Sequence, residues 1–175
     1  MTTTAIRFAG FGGQGIVKLG QIFGAAAVKA GKNALQNQSY GSSARGGLCT
    51  ADVTVSDGEI LDIEPEYMDA LAVLSQDSAN AYLPMLKPGG LLITEQELVD
   101  LPADYAGAHH AIPATSIAAK DLGRRIVTNM VVLGYMGALS GLVDRESLES
   151  TIRENVPKGT EDLNIKAFSA GWDRA

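Results

Sequence analysis

The sequence predicts an α/β protein: a single Rossmann-like domain with a mainly parallel sheet, one β-hairpin and helices on both faces. The first observation is that short apolar segments typical of strands alternate with segments of helical periodicity, which favours parallel strands joined by helices. The second is a glycine cluster between the first strand and the first helix. The third is a segment in which apolar and polar residues alternate, followed by a residue pair typical of a tight turn. The chain has 175 residues, 46% of them hydrophobic, so it can bury a core, and we expect one domain over residues 1–175.

The first half of the chain is predicted to hold one helix, over residues 15–30, and four strands. The helix is indicated by five apolar residues on one stripe, and Gly31 suits the position after its end. Those five residues are Ile16, Leu19, Phe23, Ala26 and Ala27. The strands are predicted at residues 5–9, 32–37, 48–56 and 60–63, and the last two are expected to pair as a hairpin across the turn signal Asp57-Gly58.

The second half is predicted to hold three strands and five helices. The strands are expected at residues 68–74, 91–94 and 108–112, and the helices at 79–86, 116–122, 126–142, 145–154 and from 160 onward. Asp144 and Thr160 are residue types that cap helix N-termini. Gly134 and Gly137 lie inside a predicted helix, which they destabilise unless another group packs closely against them. A second helix or another subunit approaching there would explain these glycines, and internal packing against the sheet is the alternative.

Charge is distributed unevenly along the chain. Residues 1–51 carry a charge of +5 and contain no acid, whereas the remaining residues carry −11, for a net charge of −6. The five cations of the first stretch are Arg7, Lys18, Lys29, Lys32 and Arg45. This split suggests that the N-terminal third faces an anion, and chance with solvated lysine side chains is the alternative.

The composition argues against several classes of protein. A net charge of −6 with 6% aromatic residues disfavours nucleic-acid binding. Cys49 is the single cysteine and cannot by itself hold an iron–sulfur cluster or zinc, while His109 and His110 are adjacent on a strand and point to opposite faces. Residues 126–143 lack charge but barely reach spanning length, so we expect a buried helix and no membrane contact. The N-terminus has no signal-peptide pattern, and we expect a cytoplasmic protein.

Residues 10–15 match the pattern G-x-G-x-x-G and lie between a predicted strand and a predicted helix. Glycines let the backbone approach a ligand, and a helix N-terminus offers free N–H groups to a phosphate or carboxylate. A ribose-binding acid should follow about 20 residues on, but residues 34–38 contain none. The pattern therefore indicates an anion site without the nicotinamide signature, and a tight turn with close packing is the alternative. The candidate binding residues are Gly12, Gly13, Gln14 and Gly15.

Residues 39–47 form a second candidate segment, directly after a predicted strand. The segment combines hydroxyl groups, one guanidinium and three glycines. The guanidinium can hold a phosphate or carboxylate in a planar fork, with the glycines giving access, and an ordinary surface loop is the alternative. The candidate binding residues are Ser39, Tyr40, Gly41, Arg45, Gly46 and Gly47.

Taken together, FAGFGGQG and SYGSSARGG resemble the paired signatures of the gamma subunits of 2-oxoacid:ferredoxin oxidoreductases. The resemblance continues through ADVTVSDGEI, HAIPATSIA and NMVVLGYMGALSGLV, and it ends in VPKGTEDLNIKAF, so it covers nearly the whole chain. Members of this family usually carry Pro-Glu or a similar pair where this chain has Ser42-Ser43. We therefore expect the loop's contact with a partner to differ here.

The resemblance implies a subunit of an enzyme that oxidatively decarboxylates a 2-oxoacid to an acyl-CoA and passes the electrons to ferredoxin. It implies no cofactor held by this chain alone and no activity of the chain alone. Thiamine diphosphate and [4Fe-4S] clusters are expected on the partner subunits alpha, beta and delta. CoA is expected at or near the glycine loops, close to the contact with the alpha subunit.

The identity of the 2-oxoacid is less specified by the sequence. Residues 38–41, in the form QSYG, look closest to the 2-oxoglutarate subgroup, and pyruvate and branched-chain 2-oxoacids stay open. A stand-alone dehydrogenase with an atypical Rossmann loop is a rival, although the chain offers neither a ribose-binding acid nor a catalytic base for it. A free-standing anion-binding module of Rossmann-like fold is the third reading.

Overall fold

A computed structural model describes residues 2–40 and 47–175, and within them six strands form one sheet in the order β2-β3-β1-β4-β5-β6. β3 is antiparallel to both of its neighbours, β2 and β1, whereas β1, β4, β5 and β6 run parallel to one another. The mainly parallel sheet predicted from the sequence is therefore confirmed. The strands are β1 (Thr3–Phe11), β2 (Asn33–Tyr40), β3 (Leu48–Ser56), β4 (Met68–Val73), β5 (Leu86–Glu95) and β6 (His109–Ile112).

Six α-helical segments accompany the sheet. The segment that follows β6 is short and continues as a π-helical turn over Ile117–Asp121, and single 3₁₀ turns lie at Leu83–Met85 and Arg125–Val127. The helices are α1 (Ile16–Lys29), α2 (Gln76–Tyr82), α3 (Ala114–Ser116), α4 (Thr128–Ser140), α5 (Arg145–Asn155) and α6 (Glu161–Trp172).

The two faces of the sheet bury two separate apolar cores, because successive side chains of a strand point to opposite faces. The larger core lies under α1, α4, α5 and α6 and includes the whole predicted stripe of α1 together with Phe8 and Ile93. The smaller core lies under α2 and includes Leu71, Leu92 and Val99. Helices on both faces were predicted, and this arrangement confirms them.

The predicted hairpin was placed at the wrong strand. Residues 60–63 form no strand, and β3 instead pairs with β2 from Asn33↔Ser56 to Tyr40↔Cys49 and with β1 on its other side. The alternation along β3 places Cys49, Ala51, Val53 and Val55 on one face, toward the larger core. A local turn signal cannot show that a strand returns to neighbours much earlier in the chain, and that is the physical reason for the error.

Most of the remaining differences between the predicted and the observed elements concern the ends of helices. α2 begins three residues earlier than predicted because Ser75 caps it, with the Ser78 backbone N–H donating to Ser75 Oγ at 3.3 Å. The Pro88-Gly89-Gly90 segment lies inside β5 and does not precede it. Asp144 caps α5 as predicted, since it accepts the Ser147 N–H at 2.8 Å. Thr160 precedes α6 but its hydroxyl donates to the Pro157 carbonyl at 2.7 Å instead of capping the helix.

The helix glycines pack internally. A Cβ added at Gly134 would overlap the carbonyl oxygen of Phe168, and one at Gly171 would overlap the carbonyl oxygen of Val131. α4 and α6 therefore touch backbone to backbone. Gly137 likewise packs against Leu148 and Trp172. Of the explanations left open by the sequence, the close approach of a second helix accounts for these glycines, and packing against the sheet does not.

Candidate functional site

The first glycine loop lies at the carboxyl end of β1, where the chain turns into α1. Gly13 and Gly15 have φ values of +92° and +76°, a left-handed conformation that glycine adopts without a steric cost. Gly15 is the N-cap of α1 and supplies no side-chain cap. The backbone N–H groups of Gly13 and Gly15 find no acceptor among the described residues. The loop thus presents free N–H donors and the positive end of a 14-residue helix, as an anion site requires.

Both polar atoms of the Gln14 side chain are engaged within the protein. Its Oε1 accepts the Phe11 backbone N–H at 2.6 Å, and its Nε2 donates to the Leu74 carbonyl at 3.0 Å. The amide lies directly over Gly10, where any Cβ would collide with it. Gln14 was predicted as a ligand contact from its place in the motif, whereas the geometry engages both of its polar atoms in holding the ends of β1 and β4 together.

The two candidate segments meet at the same edge of the sheet. The Gly12 N–H donates to the Gly47 carbonyl at 3.2 Å, so the beginning of β3 is tied to the end of β1. Ser39 and Tyr40 were predicted to lie in a loop, but they are the last residues of β2, because β2 extends to pair with Cys49. Gly41, Arg45 and Gly46 lie outside the described residues.

A cavity of about 320 Å³ opens at the carboxyl edge, beside the first glycine loop. Five elements supply its walls, since the ends of β1, β4 and β5 and the beginnings of α3 and α4 converge there, as expected at this edge of a parallel sheet. The lining residues are Gly13, Gln14, Leu74, Leu98, Thr115, Arg125, Ile126 and Thr128. We call this the edge cavity.

Arg125 is the functional candidate that the sequence analysis missed. Its side chain is exposed, it lines the edge cavity, and it has no carboxylate partner among the described residues. The 3₁₀ turn that carries it is fixed by the Thr128 hydroxyl, which donates to the Arg125 carbonyl at 2.7 Å. The signal in the sequence was a basic pair, Arg124-Arg125, directly before the uncharged helix, and only the fold brings it to the glycine loop.

A buried carboxylate shapes the far wall of the edge cavity. Glu95 ends β5 and is 1% exposed. It accepts the Thr115 N–H at 2.9 Å and the Glu97 N–H at 2.7 Å. Because a buried charge needs such partners, Glu95 fixes the first turn after β6 and with it the position of Thr115.

The charge split seen in the sequence is mostly neutralised by the fold. Arg7 forms a two-pronged ion pair with Asp52, at 2.7 Å and 2.6 Å, and the hydrogen bonding to Asp52 raises the pKa of Arg7. Lys29 pairs with Glu154 and Lys32 with Asp57, both at 2.7 Å. Three of the four described cations of the N-terminal third are therefore matched by acids from later in the chain, and Lys18 is the one of the four that is not. The inference that this whole region faces an anion was too broad.

The structure confirms that His109 and His110 point to opposite faces, and it places Cys49 in the larger core. Burial raises the pKa of the Cys49 thiol, which therefore serves as a small apolar side chain. His109 packs edge-on against Tyr105, and His110 against Tyr135, on opposite faces of the sheet. Within residues 2–40 and 47–175, no helix has both the length and the apolar character needed to cross a membrane.

Comparison with known proteins gives a consistent result along the chain. The sequence profile of the family described as pyruvate ferredoxin/flavodoxin oxidoreductase matches residues 5–174. The 2-oxoglutarate synthase subunit KorC of Methanocaldococcus jannaschii is 41% identical over 173 residues, covering 97% of this chain and 92% of the relative.

Solved structures give the same fold. A keto/oxoacid ferredoxin oxidoreductase gamma subunit from Geobacter sulfurreducens superposes with a TM-score of 0.87 at 40% identity and 98% coverage of both chains. A 2-oxoglutarate:ferredoxin oxidoreductase from Magnetococcus marinus, solved with 2-oxoglutarate, coenzyme A and succinyl-CoA bound, superposes at 0.88 with 21% identity, and this chain spans 32% of its length. The chain belongs to the pyruvate ferredoxin/flavodoxin oxidoreductase family, as a gamma-type subunit of the 2-oxoacid:ferredoxin oxidoreductases.

Proposed function

We propose that this chain is the gamma subunit of a 2-oxoglutarate:ferredoxin oxidoreductase, in which a 2-oxoacid is oxidatively decarboxylated to an acyl-CoA and electrons pass to ferredoxin. The choice of 2-oxoglutarate is supported by the 41% identity to a 2-oxoglutarate synthase subunit over 92% of that relative. Family members of this kind are oxidoreductase subunits, and the role of the chain is then to complete a site that other subunits share.

The contribution of this chain is to bind the phosphate-bearing part of CoA at the edge cavity. One observation carries the proposal: Gly13 and Arg125 line one cavity of about 320 Å³, and among the described residues the Gly13 N–H has no acceptor and the Arg125 guanidinium has no carboxylate partner. Oriented N–H groups at a helix N-terminus and a planar guanidinium are the donors that phosphate groups select. CoA is the ligand to test because the related Magnetococcus marinus enzyme was solved with it bound.

The second candidate segment belongs to the same proposal. Gly47 is hydrogen-bonded to the first loop, and Arg45 and Gly46 directly precede Gly47 in the chain. We propose that Arg45 adds a second guanidinium to the CoA site. Ser39 lines a separate hollow with Arg7 and Asp52, so we assign it to the neighbouring surface and not to the site.

The remaining parts of the proposal concern the assembly. Thiamine diphosphate and [4Fe-4S] clusters are assigned to alpha, beta and delta subunits, and ferredoxin is reached through the complex. We place the complex in the cytoplasm and treat residues 1–175 as one domain, since one sheet with two cores runs through the described part of the chain.

The proposal is tested by Arg125→Ala in the assembled complex. A charge-assisted hydrogen bond is worth roughly 1.5–3 kcal/mol, so the Michaelis constant for CoA should rise about tenfold to a hundredfold. The Michaelis constant for 2-oxoglutarate should hardly change, because the 2-oxoacid is held by other chains. Steady-state kinetics with each substrate varied in turn makes the measurement.

Arg124→Ala is the matched control, because Arg124 is exposed and adjacent but does not line the edge cavity. Size-exclusion chromatography first establishes that each variant assembles. An assembled Arg125→Ala enzyme with unaltered CoA kinetics would remove the CoA role from the edge cavity.

A further inference from the structure

One edge of the sheet is a long strand with an open side. β2 has eight residues and pairs with β3 in unbroken register from Asn33↔Ser56 to Tyr40↔Cys49, whereas β6, at the other edge, has four residues. Proteins usually protect a free edge by a short strand, a charged residue, a proline or a bulge, because unpaired N–H and C=O groups accept a further strand. The sequence of β2, NALQNQSY, contains neither charge nor proline, and its register has no bulge.

The hydrogen bond from the Gly12 N–H to the Gly47 carbonyl fixes which backbone groups of β2 point outward. It extends the β1–β3 pairing one step beyond Phe11↔Leu48, so the odd-numbered residues of β3 bond to β1 and the even-numbered ones bond to β2. The even-numbered residues of β3 lie opposite the odd-numbered residues of β2. The N–H and C=O groups of the even-numbered residues of β2 therefore point away from the sheet. Among the described residues, no hydrogen bond engages these backbone groups of Ala34, Gln36 and Gln38.

The connection between β3 and β4, residues 57–67, runs beside β2 without closing its edge. The Asn33 side-chain amide donates to the Gly58 carbonyl at 2.9 Å, and the Asn37 side-chain amide donates to the Ile63 carbonyl. Both bonds come from side chains of odd-numbered residues, and no backbone hydrogen bond joins the connection to β2 within the described part of the chain. The outward backbone groups of β2 therefore stay open.

A hollow of about 280 Å³ lies where the second half of β2 meets this connection, and its charge is negative. Glu64 and Glu66 line it and have no cation partner among the described residues. Arg7, the cation among the lining residues, is already neutralised by its two-pronged pair with Asp52. Every second side chain of a strand added to β2 would point to this face of the sheet, so a basic side chain at those positions is complementary to the hollow.

We propose that β2 takes up one further strand, an extended segment of a partner subunit that carries lysine or arginine at alternate positions. Its backbone pairs with the outward groups of Ala34, Gln36 and Gln38, and its basic side chains lie beside Glu64 and Glu66. Backbone pairing along a free edge supplies affinity, and the alternate side chains supply specificity. A second copy of this chain is a poorer occupant, because a two-fold axis through paired β2 strands brings the carboxylates of both copies to the same face.

This inference rests on membership in a family whose relatives are enzyme subunits, and not on the CoA site. Its failure would therefore leave the CoA proposal untouched, because assembly and CoA kinetics are measured separately.

Residue-resolved hydrogen exchange of the isolated chain and of the assembled complex tests the pairing. In the isolated chain, the N–H groups of Ala34, Gln36 and Gln38 should exchange at nearly the rate of an unstructured peptide, because they have no acceptor. In the complex, their exchange should slow about tenfold or more. The N–H groups of Leu35 and Asn37 donate to β3, so they are the internal control and should be protected in both samples.

Two results of this measurement would overturn the proposal. Equal exchange of the three outward N–H groups in the isolated chain and in the complex would mean that the edge stays unpaired. Protection that is already present in the isolated chain, and that disappears on dilution, would assign the edge to a second copy.

Gln36→Pro removes one outward N–H, and proline is tolerated at such a position of an edge strand. The variant should associate with the partner subunits about tenfold more weakly or worse, as measured by co-elution at increasing dilution. Gln36→Thr is the matched control, because it changes the side chain and keeps the N–H. Circular dichroism first establishes that each variant folds, and if Gln36→Pro does not fold, hydrogen exchange of the unaltered chain decides. Equal association of the two folded variants would contradict the pairing.

The charge of the partner strand is tested at the hollow. Replacing Glu64 and Glu66 together by glutamine should weaken association about twofold to fivefold and reduce its dependence on salt. Glu146→Gln is the control, because Glu146 is exposed on α5 and does not line the hollow. Association of the double variant that is as tight and as salt-dependent as that of the control would remove the basic residues from the proposed strand.

Discussion

At the scale of single residues, Gln14 shows what a motif can and cannot specify. The G-x-G-x-x-G pattern locates a backbone turn, and it says nothing about where the side chains at its x positions point. Here the amide of Gln14 bridges the Phe11 N–H and the Leu74 carbonyl, which belong to the ends of two neighbouring parallel strands. The loop that we propose for anion binding is thus held open by its own side chain, and glycine at position 10 is needed because the amide occupies the space of a Cβ.

Gln14→Ala should therefore destabilise the chain. The substitution removes the partners of one backbone donor and one backbone acceptor, and each such loss costs about 1–3 kcal/mol when water cannot replace the partner. Urea unfolding of the full chain measures the change in the free energy of unfolding. Gln96→Ala is the control, since Gln96 is exposed and its side chain makes no hydrogen bond among the described residues. A Gln14→Ala loss no larger than that of the control would contradict the bridging role.

At the scale of elements, the α4–α6 contact explains glycines that look unfavourable in a helix. The sequence indicates that Gly134 and Gly137 need a close neighbour, but it does not identify which one. The structure shows that Gly134 meets the Phe168 carbonyl and that Gly171 meets the Val131 carbonyl. The pairing of two helices more than 30 positions apart depends on the fold around them, so it leaves no local signal.

Gly134→Ala should destabilise the chain even though alanine favours a helix by about 1 kcal/mol. The added methyl meets backbone atoms of α6, which cannot rotate away, and overpacking of this kind costs about 1–3 kcal/mol. Gly24→Ala is the matched control in α1, because its Cβ would lie at ordinary contact distance, 3.6 Å, from Val53. Thermal unfolding measures the effect: the melting temperature of Gly134→Ala should fall, and that of Gly24→Ala should stay the same or rise. A stabilised Gly134→Ala chain would show that the two helices separate easily.

At the scale of the whole molecule, the sheet order is the feature that local patterns could not supply. All six strands of the sheet were predicted close to their observed places, and the strand predicted at residues 60–63 is absent. The order of the strands was not predicted, because β3 lies between β2 and β1 and its neighbours are set by contacts between distant parts of the chain. The same contacts bring Asp52 to Arg7, Asp57 to Lys32 and Glu154 to Lys29. Basic and acidic residues that are separated along the sequence therefore neutralise one another in the folded chain.

Residues 57–69 carry an excess of negative charge, and we call them the acidic segment. They contain six acids and no cation, as much charge as the net −6 of the chain. Asp57 and Asp69 have lysine partners, and the four acids between them have none among the described residues. Two large apolar side chains stand among them, Leu61 at 84% and Ile63 at 60% exposure. Apolar side chains surrounded by charge are typical of a protein-contact surface.

The last prediction follows from this surface and from membership in a family of multi-subunit enzymes. Replacing Leu61 and Ile63 together by serine should weaken association with the partner subunits, because burying each side chain stabilises an interface by about 1.5–3 kcal/mol, or roughly tenfold to a hundredfold in the dissociation constant. Co-elution with the partner subunits at increasing dilution measures the loss, and higher salt should weaken the assembly further if the four free acids meet cations. Val28→Ser is the control, since Val28 is 58% exposed on α1 and away from the acidic segment. If the double variant associates with the partner subunits as tightly as the control does, the contact lies on another face of the molecule.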